Sequence, residues 1–182
     1  GVLSHSKETG RVIVVGAGAG GLMAAGRAAE RGANVLLLEK TDGPGKKILI
    51  SGKSRCNLTN ARDLGDFISM YGPNGRFLHS AFRRFFRDDL LAFLRRYGVE
   101  TKVERGGRIF PVSDNAADVV KAFRRYLEDQ LVDVHTGADV TGITLRDGRI
   151  EGVRTERDSF PARAVILATG GATWPETGST GD

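Results

Sequence analysis

Five glycines lie between Gly16 and Gly26, inside the segment RVIVVGAGAGGLMAAGRAAERGANVLLLEK that runs from residue 11 to residue 40. Gly16, Gly18 and Gly21 form the pattern G-x-G-x-x-G. The first glycine allows a tight turn, the second lets the backbone approach a pyrophosphate, and the third lets a helix pack closely on a strand. A helix N-terminus after such a turn offers free N–H groups and a positive dipole end to phosphates. The chemistry indicated is therefore phosphate binding.

Glu39 lies 18 residues after Gly21, directly after a second apolar run. A carboxylate at that place accepts hydrogen bonds from both hydroxyls of an adenosine ribose, and it would repel a 2′-phosphate. The combination predicts a bound dinucleotide other than NADP. A glycine-rich turn in an unrelated α/β fold is the alternative, because such turns alone are common.

The segment DGPGKKILISGKSRCNLTN, from residue 42 to residue 60, carries four cations that could meet phosphate: Lys46, Lys47, Lys53 and Arg55. A solvated basic loop is the alternative. The single cysteine, Cys56, cannot form an internal disulfide, and three isolated histidines give no metal-ligand spacing. We expect no metal site, and no pair of residues stands out as a catalytic acid and base.

The elements that must position these residues form one β-α-β unit. Residues 11–15 are β-branched and continuous, as in a strand buried on both faces. Alanine and leucine favour a helix over residues 19–30, Gly32 suits the end of that helix, and residues 34–38 form a second strand.

The rest of the chain predicts a longer series of elements. Helices are expected at residues 76–86 and 88–97, the second stopping at Gly98, and Ser113 is predicted to cap a helix over residues 114–129. A strand over residues 131–135, a hairpin turning at Asp147 and Gly148, and a strand over residues 164–168 follow. Two sets of apolar residues are assigned to the core: Phe82, Phe85, Phe86, Leu90, Leu91, Phe93 and Leu94, and then Ala116, Val120, Phe123 and Leu127.

This order differs from that of an NAD dehydrogenase, in which short links join successive β-α units. A long excursion, a small antiparallel element and a late strand ending in ATGG are instead how FAD-binding domains of the glutathione-reductase type are wired. The predicted fold class is α/β: a Rossmann-like FAD-binding domain with a mostly parallel sheet, helices on both faces and a small antiparallel β element.

Composition sets further limits. The chain has 182 residues and a net charge of +5, with 40% hydrophobic residues, which suits one soluble domain. No apolar run approaches the ~18 residues of a membrane span. One cysteine and a polar leader favour the cytoplasm. The arginines between residues 76 and 96 allow RNA binding, but a solvated face is the preferred interpretation, so neither nucleic acid nor membrane is expected as a partner.

The chain resembles the YhiN/BaiN-type flavoproteins, which are aminoacetone-oxidase-like NAD(P)/FAD-dependent oxidoreductases. The resemblance rests on GAGAGGLMAA, LLLEK, GKKILISGKSRCNLTN, GRIFPVSDNAADVV and ILATGGATWPETGSTGD, which occur in the family's order. Lys46 stands where the family usually has arginine, and Lys53 and Ser54 replace a glycine run. Both changes keep a polar loop.

The resemblance implies a set of cofactor-binding positions. They comprise a pyrophosphate turn (Gly16, Gly18, Ala19, Gly20, Gly21), an adenosine-ribose edge (Glu39, Lys40), a loop toward the flavin (Lys47, Ser51, Gly52, Arg55, Cys56, Asn57, Asn60), an adenine-contacting backbone at Val140, and a second turn (Thr169, Gly170, Gly171). Cys56 is assigned to packing or a cofactor contact rather than redox chemistry. No catalytic residue is assigned.

The resemblance also implies that FAD is the cofactor, with NAD(P)H as a candidate electron donor and a small organic molecule as substrate. The predicted organisation is a flexible leader over residues 1–10 and a Rossmann-like domain over residues 11–182, with a helical excursion at about 61–130 and a hairpin at about 140–160. Members of the family are roughly twice as long, so the substrate domain and the C-terminal part are expected to be absent. A non-catalytic FAD- or NAD-binding module is therefore the alternative function, and enzymatic activity and homo-oligomer formation stay open.

Overall fold

The computed structural model describes residues 10–45, 69–71, 87–168 and 178–179. Strand β1 (Arg11–Val15), helix α1 (Ala19–Glu30) and strand β2 (Asn34–Leu38) follow one another with the predicted bounds. Helix α1 ends at Glu30 with Arg31 as its C-cap, and Gly32 then takes a φ of +93°, a conformation that glycine adopts without steric cost.

The central sheet is built around β1. Strands β6 (Asp133–His135) and β10 (Ala164–Leu167) join β1 and β2 in a parallel arrangement, and β3 (Ser69–Tyr71) pairs with β10 in the antiparallel direction. The order of the five strands is β3–β10–β1–β2–β6, so β1 lies in the middle. The carboxyl ends of its two parallel neighbours therefore meet the turn that follows β1.

A second sheet contains four strands. Its hairpin joins β7 (Val140–Arg146) to β8 (Arg149–Thr155), and β9 (Ser159–Pro161) and β11 (Gly178–Ser179) lie at its edges, in the order β11–β7–β8–β9. Asp147 and Gly148 both have positive φ, 52° and 75°, as the tightest hairpin turns require. The predicted hairpin and its turn are confirmed.

The side chains of the parallel strands alternate between two cores. Ile13, Val15, Leu36 and the other residues on the same side of the parallel strands face the second sheet, where Ile143 and Val153 are fully buried. Val12, Val14 and Leu37 face a layer of α-helices, of which α1 is one. The Rossmann-like fold is thus confirmed. Within the described residues the antiparallel sheet covers one face, where helices were also expected, and all three helices cover the other.

Helices α2 (Arg87–Arg96) and α3 (Ala116–Asp129) complete the helical layer. Phe93 of α2 packs on Phe123 and Tyr126 of α3, with ring centroids 5.2 and 4.7 Å apart. Leu90 and Leu94 are buried, as is the whole stripe predicted for α3, and Leu91 is partly buried. The predicted helix at residues 76–86, with Phe82, Phe85 and Phe86, lies outside the described residues.

The start of α3 corrects the sequence prediction. The helix begins at Ala116, and its cap is Asn115, whose Oδ1 accepts a hydrogen bond from the Ala117 N–H at 3.0 Å. Asp114 has a φ of 55°, outside the helical region, so Ser113 cannot cap the helix. The Ser113 hydroxyl instead accepts the N–H of Asn115.

The structure differs from the sequence prediction at two further places. The strand expected from residue 131 begins at Asp133, because Leu131 has a φ of 57° and is 85% exposed. Between α2 and α3, strands β4 (Thr101–Glu104) and β5 (Arg108–Pro111) form an antiparallel pair that the sequence did not indicate.

Candidate dinucleotide site

The turn after β1 is held against the end of β2. Gly16 has a φ of +101°, and its N–H donates to the Leu38 carbonyl at 2.9 Å. A Cβ added to Gly21 would overlap the carbonyl oxygen of Gly16. Gly16 and Gly21 therefore serve the roles expected of them: one permits the turn, and the other allows α1 to lie directly against it.

Gly18 has a different environment. It is the N-cap of α1, with φ −75° and ψ −177°, values open to any residue. No atom lies within 4 Å of a Cβ built on it, so neither backbone strain nor packing within the described residues requires glycine there. The first turn of α1 has no acidic residue and no side-chain cap. This open space before a helix N-terminus fits a pyrophosphate.

Glu39 lies at the carboxyl end of β2, beside this turn, and is partly buried. Its Oε2 accepts the Ala17 N–H at 2.8 Å, and its Oε1 accepts the Thr41 N–H at 3.3 Å. Its backbone is held as well, because its N–H donates to the His135 carbonyl and its carbonyl accepts the Ala138 N–H, both at 2.9 Å. The carboxylate is thus fixed where the sequence placed a ribose ligand.

The loop after Glu39 closes on the same turn. The Gly45 N–H donates to the Ala17 carbonyl at 2.7 Å, and the Gly137 N–H donates to the Thr41 carbonyl at 2.9 Å. Sequence reasoning did not assign Ala17, Thr41 or Gly45 to the site. They contribute backbone groups, which leave no residue-type signal in a sequence.

Other predicted positions lie along the same edge. Val140, 6% exposed, begins β7 and belongs to the same buried cluster as Val15 of β1 and Leu38 of β2. Lys40 is exposed beside Glu39. Ala168 follows β10 and donates its N–H to the Val15 carbonyl at 2.8 Å, so the chain is aimed at this edge where the predicted second turn begins.

Ten predicted positions lie outside the described residues. They are Lys47, Ser51, Gly52, Arg55, Cys56, Asn57, Asn60, Thr169, Gly170 and Gly171. Within the ranges that the structure describes, no group of three or more metal-ligating side chains occurs. None of the helices described is both long and apolar enough to cross a membrane.

Solved structures share this architecture. The chain is similar to the crystal structure of Thermovibrio ammonificans THI4, with a TM-score of 0.55 and 15% identity over 89% of this chain and 58% of that one. It is also similar to the 3-ketosteroid-delta4-(5alpha)-dehydrogenase of Rhodococcus jostii RHA1, with a TM-score of 0.52 and 16% identity over 87% of this chain and 43% of that one. At these identities the likeness shows the fold alone. Fold and site together define a dinucleotide-binding Rossmann domain.

The model of the HI0933-like protein Rossmann domain matches residues 10–182, and the chain belongs to this family. Among its relatives is the 3-dehydro-bile acid delta(4,6)-reductase of Clostridium scindens, 37% identical over 94% of this chain and 41% of the relative. The ribosomal RNA dihydrouridine synthase of Escherichia coli K12 is 30% identical over 92% of this chain and 41% of the relative. The chain therefore spans about two fifths of the length of these relatives.

Family membership confirms the resemblance found in the sequence. With it, the domain is an FAD-binding Rossmann domain of the kind found at the N-terminus of FAD-dependent oxidoreductases.

Proposed function

We propose that this chain forms the ADP-binding half of the FAD site of an oxidoreductase. The observation that carries the proposal is the position of the Glu39 carboxylate, 2.8 Å from the Ala17 N–H in the glycine-rich turn. A ligand with a diphosphate next to a sugar hydroxyl would place the phosphates in the open space at Gly18 and the hydroxyl at this carboxylate. A nucleoside diphosphate, as in FAD, has that arrangement.

Each of these residues is assigned to a different part of the ligand. Gly18 leaves room for the pyrophosphate, and the N-terminal N–H groups of α1, from Ala19 to Gly21, face it with the positive end of the helix dipole. Glu39 accepts the ribose hydroxyls, and the chain near Lys40 and Val140 borders the adenine. FAD, when bound, supplies the hydride chemistry, while these residues bind and orient it.

Ten further positions extend the proposal toward the flavin. Their assignment rests on the family resemblance, which gives the loop of Lys47 to Asn60 and the turn at Thr169 to contacts beyond the pyrophosphate. The direction of β10, which leads to this edge next to β1, supports the second assignment. Cys56 belongs to this set as a packing or cofactor contact.

The activity we propose for the whole protein is flavin-mediated transfer of a hydride or of electrons to a small organic substrate, with NAD(P)H as donor. One relative is a 3-dehydro-bile acid reductase, which supports reduction of a small molecule. Another acts on ribosomal RNA, so RNA is the competing substrate class. The single cysteine supports a reducing compartment such as the cytoplasm.

Titration of the cofactor-free chain with FAD, NAD and NADP tests the cofactor assignment. We expect FAD to bind tightest and NADP weakest, because the Glu39 carboxylate repels a 2′-phosphate. Glu39→Ala should weaken FAD binding by about 1–3 kcal/mol, since charge-assisted hydrogen bonds are lost. Glu128→Ala, which removes an exposed carboxylate on α3, is the control and should bind FAD normally. Tightest binding of NADP would contradict the proposal.

Anaerobic mixing of the FAD-loaded protein with NADH or NADPH tests the electron-transfer part. Bleaching of the flavin absorbance is the expected result, and oxidation by added substrate should restore it. A whole protein that binds FAD and is reduced by neither donor would support the alternative of a nucleotide-binding module without catalysis.

A further inference from the structure

We infer that Glu39 is also a positioning residue, which holds the glycine-rich turn in its phosphate-binding shape before any ligand arrives. The inference rests on the proposed function and adds a second role to the same side chain. Ribose binding alone would need Glu39 only at the sugar. The geometry instead ties its carboxylate to the backbone of the turn.

Both polar backbone groups of Ala17 are held from the segment of residues 39–45. Its N–H donates to Glu39 Oε2 at 2.8 Å, and its carbonyl accepts the Gly45 N–H at 2.7 Å. The Ala17 residue is 1% exposed. Neither peptide unit that flanks Ala17 can therefore rotate without breaking one of these bonds.

The second of these peptide units determines the direction of the Gly18 N–H. The Ala17 carbonyl and the Gly18 N–H belong to one planar peptide and point in opposite directions. Fixing the carbonyl toward Gly45 therefore aims the Gly18 N–H away from that loop. Glycines on both sides of Ala17 have wide conformational freedom, so the turn depends on these contacts for its shape.

The carboxylate can take both roles at once. Each of its oxygens accepts one backbone N–H, from Ala17 and from Thr41, and each retains a second lone pair for a ribose hydroxyl. The ribose and pyrophosphate subsites are consequently coupled through one side chain. Removing Glu39 should weaken binding of ligands that have no ribose hydroxyl at all.

Two probes separate the roles: ADP, and 2′,3′-dideoxy-ADP, which keeps the diphosphate and lacks both hydroxyls. We expect Glu39→Ala to weaken dideoxy-ADP binding about tenfold and ADP binding further, since hydrogen bonds to a charged group are worth more than neutral ones. Glu39→Gln keeps one acceptor oxygen, so its affinity for each ligand should lie between those of Glu39→Ala and the unaltered chain. Glu128→Gln, a matched change of charge on an exposed carboxylate of α3, should leave both affinities unchanged.

Hydrogen exchange of the ligand-free chain gives a readout that a general loss of stability would not reproduce. The Ala17 amide should be protected in the unaltered chain and exchange rapidly in Glu39→Ala, while the amide of Leu37, a buried residue of β2, keeps its protection. Equal binding of dideoxy-ADP by Glu39→Ala and the unaltered chain, or unchanged protection at Ala17, would overturn the inference. Failure of the unaltered chain to bind ADP would contradict the proposed function, whereas the exchange result needs no ligand.

Discussion

A Cβ added at Gly18 would meet no described atom within 4 Å, whereas one added at Gly21 would overlap the Gly16 carbonyl. The same motif thus contains glycines that are required for different reasons. Gly21 is required by the packing of α1 against the preceding turn. Gly18 has no such requirement from the described part of the chain, which agrees with our proposal that a pyrophosphate binds beside it.

Gly18→Val should leave the chain folded and remove FAD binding. The φ and ψ of Gly18 are open to valine, and no described atom lies within 4 Å of an added Cβ. Because the branched side chain would compete with the proposed pyrophosphate for this space, the loss should be about 3 kcal/mol or more. Gly21→Val should instead lower the melting temperature. Circular dichroism and FAD titration on the same samples test both. Unchanged FAD affinity in folded Gly18→Val would show that the phosphates bind elsewhere.

Glu30 links α1 to both of the other α-helices in the described part of the chain. It accepts the Tyr126 hydroxyl at 2.7 Å, and Arg27 and Arg96 lie 3.0 and 3.5 Å away. Burial alone would raise the pKa of Glu30, but the hydrogen bonds from Tyr126, Arg27 and Arg96 and the charge of Arg27 outweigh it and hold that pKa below 4.5. Burial and the bond to Glu30 raise the pKa of Tyr126 above its usual 10.0, so the phenol stays neutral at neutral and acidic pH.

The stability that Glu30 contributes should therefore disappear in acid. A carboxyl whose pKa is lowered by folding stabilises the fold above its unfolded pKa and loses that contribution as the pH falls through the folded value. We expect Glu30→Gln to be less stable than the unaltered chain at about pH 7 and the difference to shrink below about pH 4. Urea unfolding at both pH values tests this. A difference that does not depend on pH would contradict the assignment.

At the scale of elements, α1 and α3 approach each other at Gly26. A Cβ there would lie 2.6 Å from Cζ and 2.9 Å from Cδ2 of Tyr126, whose ring is 1% exposed and whose hydroxyl is held by Glu30. The ring cannot withdraw without losing that hydrogen bond and its contact with Phe93. The helix pair therefore requires a residue without a side chain at this position.

Gly26→Ala should destabilise the chain by about 1–2 kcal/mol, because overpacking outweighs the gain of up to about 1 kcal/mol in helix propensity. In a Tyr126→Ala background the obstacle is gone, and the same substitution should be neutral or stabilising. A double-mutant cycle of unfolding free energies measures the difference. Equal effects of Gly26→Ala in both backgrounds would refute the steric explanation.

The sequence predicted the bounds of β1, α1 and β2 to the residue. The apolar runs, alanines and glycines are local signals there, and all of them favour the same elements. It failed where tertiary contacts override local preference. Ser113 and Asn115 are both good caps, and only the left-handed Asp114 between them decides for Asn115. The β4–β5 pair lacks a continuous apolar run, and Val103 is 69% exposed, so no hydrophobic periodicity in the sequence indicates these two strands.

The candidate site shows the same division. Glu39 and the three motif glycines were predicted, because their residue types matter. The hydrogen bond from Ala17 to Glu39 and that from Gly45 to Ala17 were not, since they use backbone groups brought together by the fold. Strand β3 was not predicted either, because its pairing with β10 joins residues that are far apart in the chain.

At the scale of the whole molecule, the described residues place the candidate site at one edge of a three-layer structure, between the ends of β1, β2 and β10. Our proposal assigns the diphosphate and the ribose to this edge. We therefore expect ADP to compete with FAD for binding, and FMN, which lacks the adenosine diphosphate, to compete poorly. Displacement of bound FAD followed by flavin fluorescence measures both. Stronger competition by FMN than by ADP would place the principal contacts at the flavin end.

The position of β1 between β2 and β10 has a consequence for synthesis of the chain. Val12 of β1 pairs with Val35 of β2 on one side and with Ala164 of β10 on the other. The β1–β10 pairing therefore joins residues that are separated by most of the sequence. Loop closure over such a distance is slow, and an unpaired strand edge can pair with the wrong chain in the meantime. As the ribosome releases the polypeptide, the glycine-rich turn emerges before β10 and cannot gain this neighbour until about residue 168 has left the exit tunnel. Nascent chains should thus acquire their affinity for nucleotide late and abruptly, when β10 inserts beside β1.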